Sequence, residues 1–120
     1  WLARLILEHS QPLRAASLQR LKHHVGIIEE SLPALDGRLT WTRPEAGCVA
    51  FPLIALGDGF DQRCLSETGI MLIPQRCFVG CAEAGREGAQ KTLAGGIRLG
   101  YGLADFPETW VRFVEFLAHA

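Results

Sequence analysis

One apolar stripe constrains this chain more than any other feature. Leu18, Leu21, Val25, Ile28, Leu32 and Leu35 recur at spacings of 3, 4, 3, 4 and 3. Residues three and four apart share one face of a helix, so the spacing predicts an amphipathic helix of about 20 residues. A coiled coil needs more heptads than this. The stripe must therefore be buried against other elements of the same fold, and a sheet is the expected partner. Ser10 suits the N-cap, and Pro12 suits the first turn, where its missing N–H costs nothing. Pro33 followed by Asp36-Gly37 stops the helix. Upstream, Trp1, Leu2, Leu5 and Ile6 set out a shorter helix over residues 1–9. The sequence has no Met at its start and begins inside this apolar pattern, so the expectation is a domain that belongs to a longer protein.

The rest of the sequence alternates strands and helices. Leu39-Thr40-Trp41-Thr42 and Cys48-Val49-Ala50-Phe51 have strand character, and the turn-forming Arg43-Pro44-Glu45-Ala46-Gly47 between them predicts a hairpin with a long loop. Asp58 is positioned to cap a helix running to Thr68, with Phe60, Cys64 and Leu65 facing inward and Gly69 as its left-handed terminus. Ile70-Met71-Leu72-Ile73 predicts a short buried strand ended by Pro74. Residues 75–95 have no clean period and form a long loop of the functional or mobile kind. Gly96-Ile97-Arg98-Leu99-Gly100-Tyr101-Gly102 is strand-like. Phe106, Trp110, Phe113, Val114 and Leu117 then mark a last helix capped by Asp105, with Pro107 in its first turn. The predicted order is α, α, β, β, α, β, β, α. It is satisfied by an α+β fold: a small, largely antiparallel sheet with helices on one face.

Composition narrows the function. The 120 residues make one domain, and 48% hydrophobic content is enough for a core. Twelve Lys+Arg against thirteen Asp+Glu give a net charge of −1, which argues against a nucleic-acid surface. No apolar run approaches the roughly 18 residues that span a bilayer. The four irregularly spaced Cys suit reduced thiols in a cytoplasmic protein rather than a disulfide scaffold.

Four features could carry chemistry. Cys77 and Cys81 are four apart, but zinc sites show a second close pair, and none exists here, so no metal is expected. His23-His24 sit in mid-helix with rings about 100° apart, a geometry that suits a solvated pair. Gly85-Arg86-Glu87-Gly88-Ala89-Gln90-Lys91-Thr92 resembles a phosphate-binding loop, but Gln90 stands where that motif needs Gly, and no strand leads directly in. Arg98 is different. It is the one charge in the apolar, glycine-rich GGIRLGYG strand. Such an Arg is either paired with a carboxylate such as Glu83 or Glu45, solvated on an open sheet face, or used to bind a carboxylate or phosphate through its bidentate fork.

Three segments, in order, resemble one family. Leu39-Thr-Trp-Thr-Arg-Pro-Glu-Ala-Gly-Cys-Val-Ala-Phe is similar to the W-x-x-P-x-G-G-x-F-x-F segment of class I/II aminotransferases, pyridoxal-phosphate enzymes of the aspartate aminotransferase fold, fold type I. Glu67-Thr-Gly-Ile-Met-Leu-Ile-Pro-Gln-Arg-Cys-Phe-Val-Gly resembles their E-x-G-V-x-V-x-P-G-x-x-F-G, and Gly96-Ile-Arg-Leu-Gly-Tyr-Gly resembles the strand before their final helix. The likeness covers at least residues 11–118. It implies the C-terminal small domain of such an enzyme over residues 10–120, with residues 1–9 as the tail of the large domain or a linker. It also implies that Arg98 binds the substrate α-carboxylate, and that the parent is a pyridoxal-phosphate-dependent homodimer acting on an amino acid and a 2-oxo acid. The lysine that holds the cofactor would then lie in the large domain, since Lys22 and Lys91 match no such position, and the chain alone should be inactive. Gln75 and Ala46 depart from the pattern, each replacing a family Gly.

Two other readings fit the residues: a free-standing α+β ligand-binding or protein-interaction module, and a structural domain acting through its long helix and its Phe/Trp-rich last helix. Fold alone does not separate them.

Overall fold

The computed structural model describes residues 2–57, 59–78 and 95–120. Helix α1 (Leu2–Glu8) turns at His9 into α2 (Ser10–Ser31), and a 3-10 turn at Leu32–Leu35 follows. Strands β1 (Leu39–Thr40), β2 (Val49–Ala50) and β3 (Leu53–Ile54) come next, then α3 (Phe60–Thr68) and β4 (Ile73–Pro74). Strand β5 (Ile97–Gly100) and α4 (Phe106–His119) complete the fold. The α+β class and the antiparallel sheet expected from the sequence are both present.

Strand β5 is the hub of the sheet. It lies between β2 and β4 and is antiparallel to each, with Val49 opposite Gly100 and Ile73 opposite Arg98. Strand β1 pairs with β3, Leu39 facing Ile54. The predicted hairpin of 39–42 with 48–51 therefore does not form: β1 pairs instead with β3, a strand the sequence reading lacked. β5 runs along one edge of residues 49–54, and β1 takes the opposite edge at 53–54. Val49 and Ala50 are engaged by β5, and the Ile54 N–H and the Pro52 carbonyl continue that edge by bonding Gly95 (2.8 Å) and Ile97 (3.1 Å).

Burial alternates along residues 50–54: Ala50, Pro52 and Ile54 are buried while Phe51 and Leu53 are exposed. The buried row meets Val25 and Ile28 of α2, Phe60 and Cys64 of α3, and the inner face of α4. That inner face is an aromatic ladder. Phe106 stacks on Trp110 at 5.7 Å, and Trp110, Phe113 and Phe116 continue it. Polar ties lock α4 to α2 and the turn after it. Trp110 Nε1 donates to Ser31 Oγ at 3.0 Å, and Arg38 Nη1 donates to the Leu117 carbonyl near the helix end.

Several expectations are corrected. Ser10 is the first residue of α2 rather than its cap, and His9 takes the capping position without a side-chain bond. Leu65 is exposed, because it is turned about 100° away from the face that Phe60 and Cys64 share at i, i+4. Met71 is exposed too, since β4 is limited to the two residues that pair with β5. Phe116 is buried beside the predicted Phe113 and Leu117. The Asp58 cap lies outside the described residues. Pro33, Asp36 (φ 45°) and Gly69 (φ 74°) end their helices as expected.

The stripe on α2 is used only in part. Val25, Ile28 and Leu35 are buried and Leu21 is half-buried, but Leu18 is 53% exposed. Residues 2–20 contribute nothing to the core. Leu2, Leu5, Ile6, Leu7 and Leu13 are all exposed with it. Helix α1 and the first half of α2 thus form an arm with uncovered apolar side chains.

Candidate functional site: Arg98 on the open sheet face

Helices cover one face of the sheet, and no helix among the described residues covers the other. Period-2 geometry puts Gly96, Arg98 and Gly100 on the open side of β5, with Ile97 and Tyr101 buried on the other. Register then supplies the neighbours. Ala50 opposite Leu99, with the Pro52–Ile97 bond, sets Phe51 opposite Arg98 on one side, and Ile73 stands opposite it on the other. Arg98 is therefore exposed at the centre of the sheet between two apolar side chains. It makes none of the ion pairs formed among the described residues; these join Arg4 to Glu8, Arg43 to Glu29, Arg63 to Glu67 and Arg76 to Asp61. Glu45, one of the two carboxylates named for it, is not its partner, and Glu83 lies outside the described residues.

The surroundings of Arg98 are shaped by what its glycine neighbours lack. A Cβ on Gly96 would come within 2.0 Å of Gln75 Oε1, so the Gln75 carboxamide occupies the side-chain space of residue 96. Gln75 N–H also bonds the Gly96 carbonyl at 2.7 Å. Among the described residues, nothing lies within 4 Å of where a Cβ on Gly100 would stand. Beyond Ile73, the chain brings Phe78 edge-on to Phe51, with ring centroids 5.7 Å apart and planes at 88°. Phe51 and Phe78 are each more than half exposed. The face thus offers one guanidinium, one carboxamide and an aromatic pair. Sequence reasoning singled out Arg98 and missed Phe51, Phe78 and Gln75. The signal for Phe51 was available, since it alternates with Ala50 and Pro52.

The other candidates fall elsewhere. His24 is buried rather than solvated: its Nδ1 lies 2.7 Å from the Tyr101 carbonyl, so that nitrogen carries the proton, and its ring packs 5.1 Å from Phe106. It fastens α2 to the end of β5. His23 is exposed as expected. Cys48 and Cys77 are exposed free thiols and Cys64 a buried one, while Cys81 and the segment 85–92 lie outside the described residues. Among the described residues no cluster of three or more metal-ligating side chains occurs. Burial raises the Cys64 thiol above its ordinary pKa, partly countered by its hydrogen bond with Thr68. Burial likewise raises the Tyr101 phenol, whose hydroxyl donates to the Gly47 carbonyl at 2.9 Å.

Pyridoxal phosphate, which the resemblance implies, requires a lysine and donors for its phosphate. Lys22 is exposed on α2, on the arm side of the molecule, and Lys91 lies outside the described residues. The described residues build no site for this cofactor. The sequence matches no protein-family model and no curated protein. No helix among the described residues is long and apolar enough to cross a membrane.

Proposed function

We propose that this chain is the C-terminal small domain of a cytoplasmic, fold type I, pyridoxal-phosphate-dependent aminotransferase, and that Arg98 holds the α-carboxylate of its amino-acid and 2-oxo-acid substrates. The observation that carries this reading is the position of Arg98: a single exposed cation on the central strand of an open sheet face, framed by apolar side chains. A planar guanidinium there presents two parallel N–H donors to a carboxylate, in surroundings where few other groups compete for it. Such a clamp fixes one end of the substrate and so orients the carbon that reacts. In this reading the large domain holds the cofactor, covers the open face and excludes water when it closes. Residues 1–9 lead into that domain, and the parent is a homodimer. The chain alone then catalyses nothing, because it supplies the anchor without the cofactor.

Two measurements test this. Extending the sequence upstream should reveal an α/β domain with a cofactor-binding Lys before a strand–helix turn; an unrelated domain there would favour a binding or interaction module instead. In the intact enzyme, Arg98→Lys keeps the charge but loses the fork, and kcat/KM for the amino acid should fall about 30- to several-thousand-fold with the cofactor still bound. Unchanged amino-acid kinetics, or loss of the cofactor, would remove Arg98 from this role.

A further inference from the structure

We propose that the Arg98 site selects monocarboxylates with a large apolar or aromatic tail, and selects against dicarboxylates. This rests on Arg98 as the carboxylate anchor and adds what the rest of the substrate meets. Three rows of side chains cross the open face. The middle row is Phe51, Arg98 and Ile73. Toward one end of β5 lie Leu53, Gly96 and Gln75, the first from its bridge to Gly96 and the last from its bond to the same residue. Toward the other end lie Val49 and Gly100, directly opposite each other, and Met71 is exposed two residues before Ile73. Strands stand about 4.8 Å apart, so all these groups lie within one small ligand's length of the guanidinium.

Charge decides the selection. Arg98 is the one cationic residue in those rows, and Gln75 is the one other polar side chain. A dicarboxylate anchored by one end at Arg98 would bring its second carboxylate against Phe51, Leu53, Ile73, Val49 or Met71, where no charge among the described residues compensates its lost hydration. Arg76, next to Gln75 in the chain, extends into an ion pair with Asp61 at 2.5 Å. An apolar tail meets the reverse situation. Among the described residues the space over Gly100 is free to admit it, and the Phe51–Phe78 pair gives a ring edge and face that a substrate phenyl group can pack against. Gln75 filling the space over Gly96 closes the other direction, so the tail is steered toward Gly100.

The test uses carboxylates on the 120-residue chain, followed by backbone amide shifts. The probes are 3-phenylpropanoate, 4-methylpentanoate and glutarate. Both monocarboxylates should shift the amides of β5, β4 and residues 49–53, with 3-phenylpropanoate bound about five- to tenfold more tightly than glutarate. Phe51→Ala, a change at an exposed side chain, should remove most of that ratio while Arg98-dependent binding of glutarate persists. Glutarate binding as tightly as 3-phenylpropanoate, or a ratio unchanged by Phe51→Ala, would overturn the selectivity. Shifts that are insensitive to Arg98→Lys would overturn the site itself. The outcome separates from that of the parent reading. Phenylpropanoate binding through Arg98 in a protein whose upstream region holds no cofactor domain would keep the ligand class and sink the aminotransferase. Aminotransferase activity lost in Arg98→Lys but fastest with acidic amino acids would do the opposite.

Discussion

At the scale of single residues, burial makes two protons part of the fold. Cys64 lies wholly inside, and burial holds its thiol above its ordinary pKa; Tyr101 is held up in the same way. In the unfolded chain both groups titrate normally, the thiol near about 8.5 and the phenol near about 10. Once the pH passes the unfolded value, the unfolded state has released a proton that the folded state keeps. Stability is therefore complete below about pH 8.5 and is lost as the pH rises through the raised values. Urea titrations should show a falling midpoint from about pH 8.5 upward, and Cys64→Ala should remove the first part of the decline. A midpoint that drops equally in the variant would assign the effect to other groups. His24 is the residue the sequence hid best. Nothing in His23-His24 says which ring turns inward. That is decided by the Tyr101 carbonyl, 77 residues away in sequence, and by the Phe106 ring.

At the scale of elements, periodicity announced each helix but not how much of it would be covered. Leu18 and Ile28 belong to one stripe, yet Ile28 has no exposed surface and Leu18 is half in solvent. Ile28→Ala should cost about 2–5 kcal/mol, and Leu18→Ala less than about 0.5 kcal/mol, in denaturant unfolding. Equal costs would mean that the arm is packed in solution. The strands were readable in type but not in partner. Leu39-Thr40 and Val49-Ala50 have strand composition, but 49–50 pairs with β5 and 39–40 pairs with 53–54. Such pairing depends on a strand almost fifty residues downstream, so no local pattern encodes it. Arg98 stood out from the sequence because a charge broke an apolar run. The aromatic pair beside it did not, because Phe78 meets Phe51 only across the folded sheet.

At the scale of the whole molecule, uncovered apolar surface is the dominant property. It lies on the arm, at Leu2, Leu5, Ile6, Leu7, Leu13 and Leu18, and on the open sheet face, at Phe51, Leu53, Met71 and Phe78. Patches of this kind on a soluble chain mark surfaces that another body covers. The chain by itself should self-associate, its apparent mass in sedimentation equilibrium rising with concentration, and Leu13→Ser with Leu18→Ser should weaken that without unfolding the domain. A strictly monomeric chain at all concentrations would show that the arm is not sticky enough to need a partner.

The ties between the two ends of the fold have a consequence for how it is made. His24 bonds Tyr101, Ser31 bonds Trp110 and Arg38 bonds Leu117, at sequence separations of 77, 79 and 79 residues. The second half of α2 and the residues just after it are thus matched with the segment from the end of β5 through α4. On the ribosome, the long helix emerges before the strands and α4 and waits for them. Its buried row stays wet until about eighty further residues have been synthesised, which at 5–20 residues per second is on the order of ten seconds. A nascent chain in that interval is a bare amphipathic helix, and a holding chaperone or a preceding, already folded domain is what would keep it from aggregating before α4 arrives.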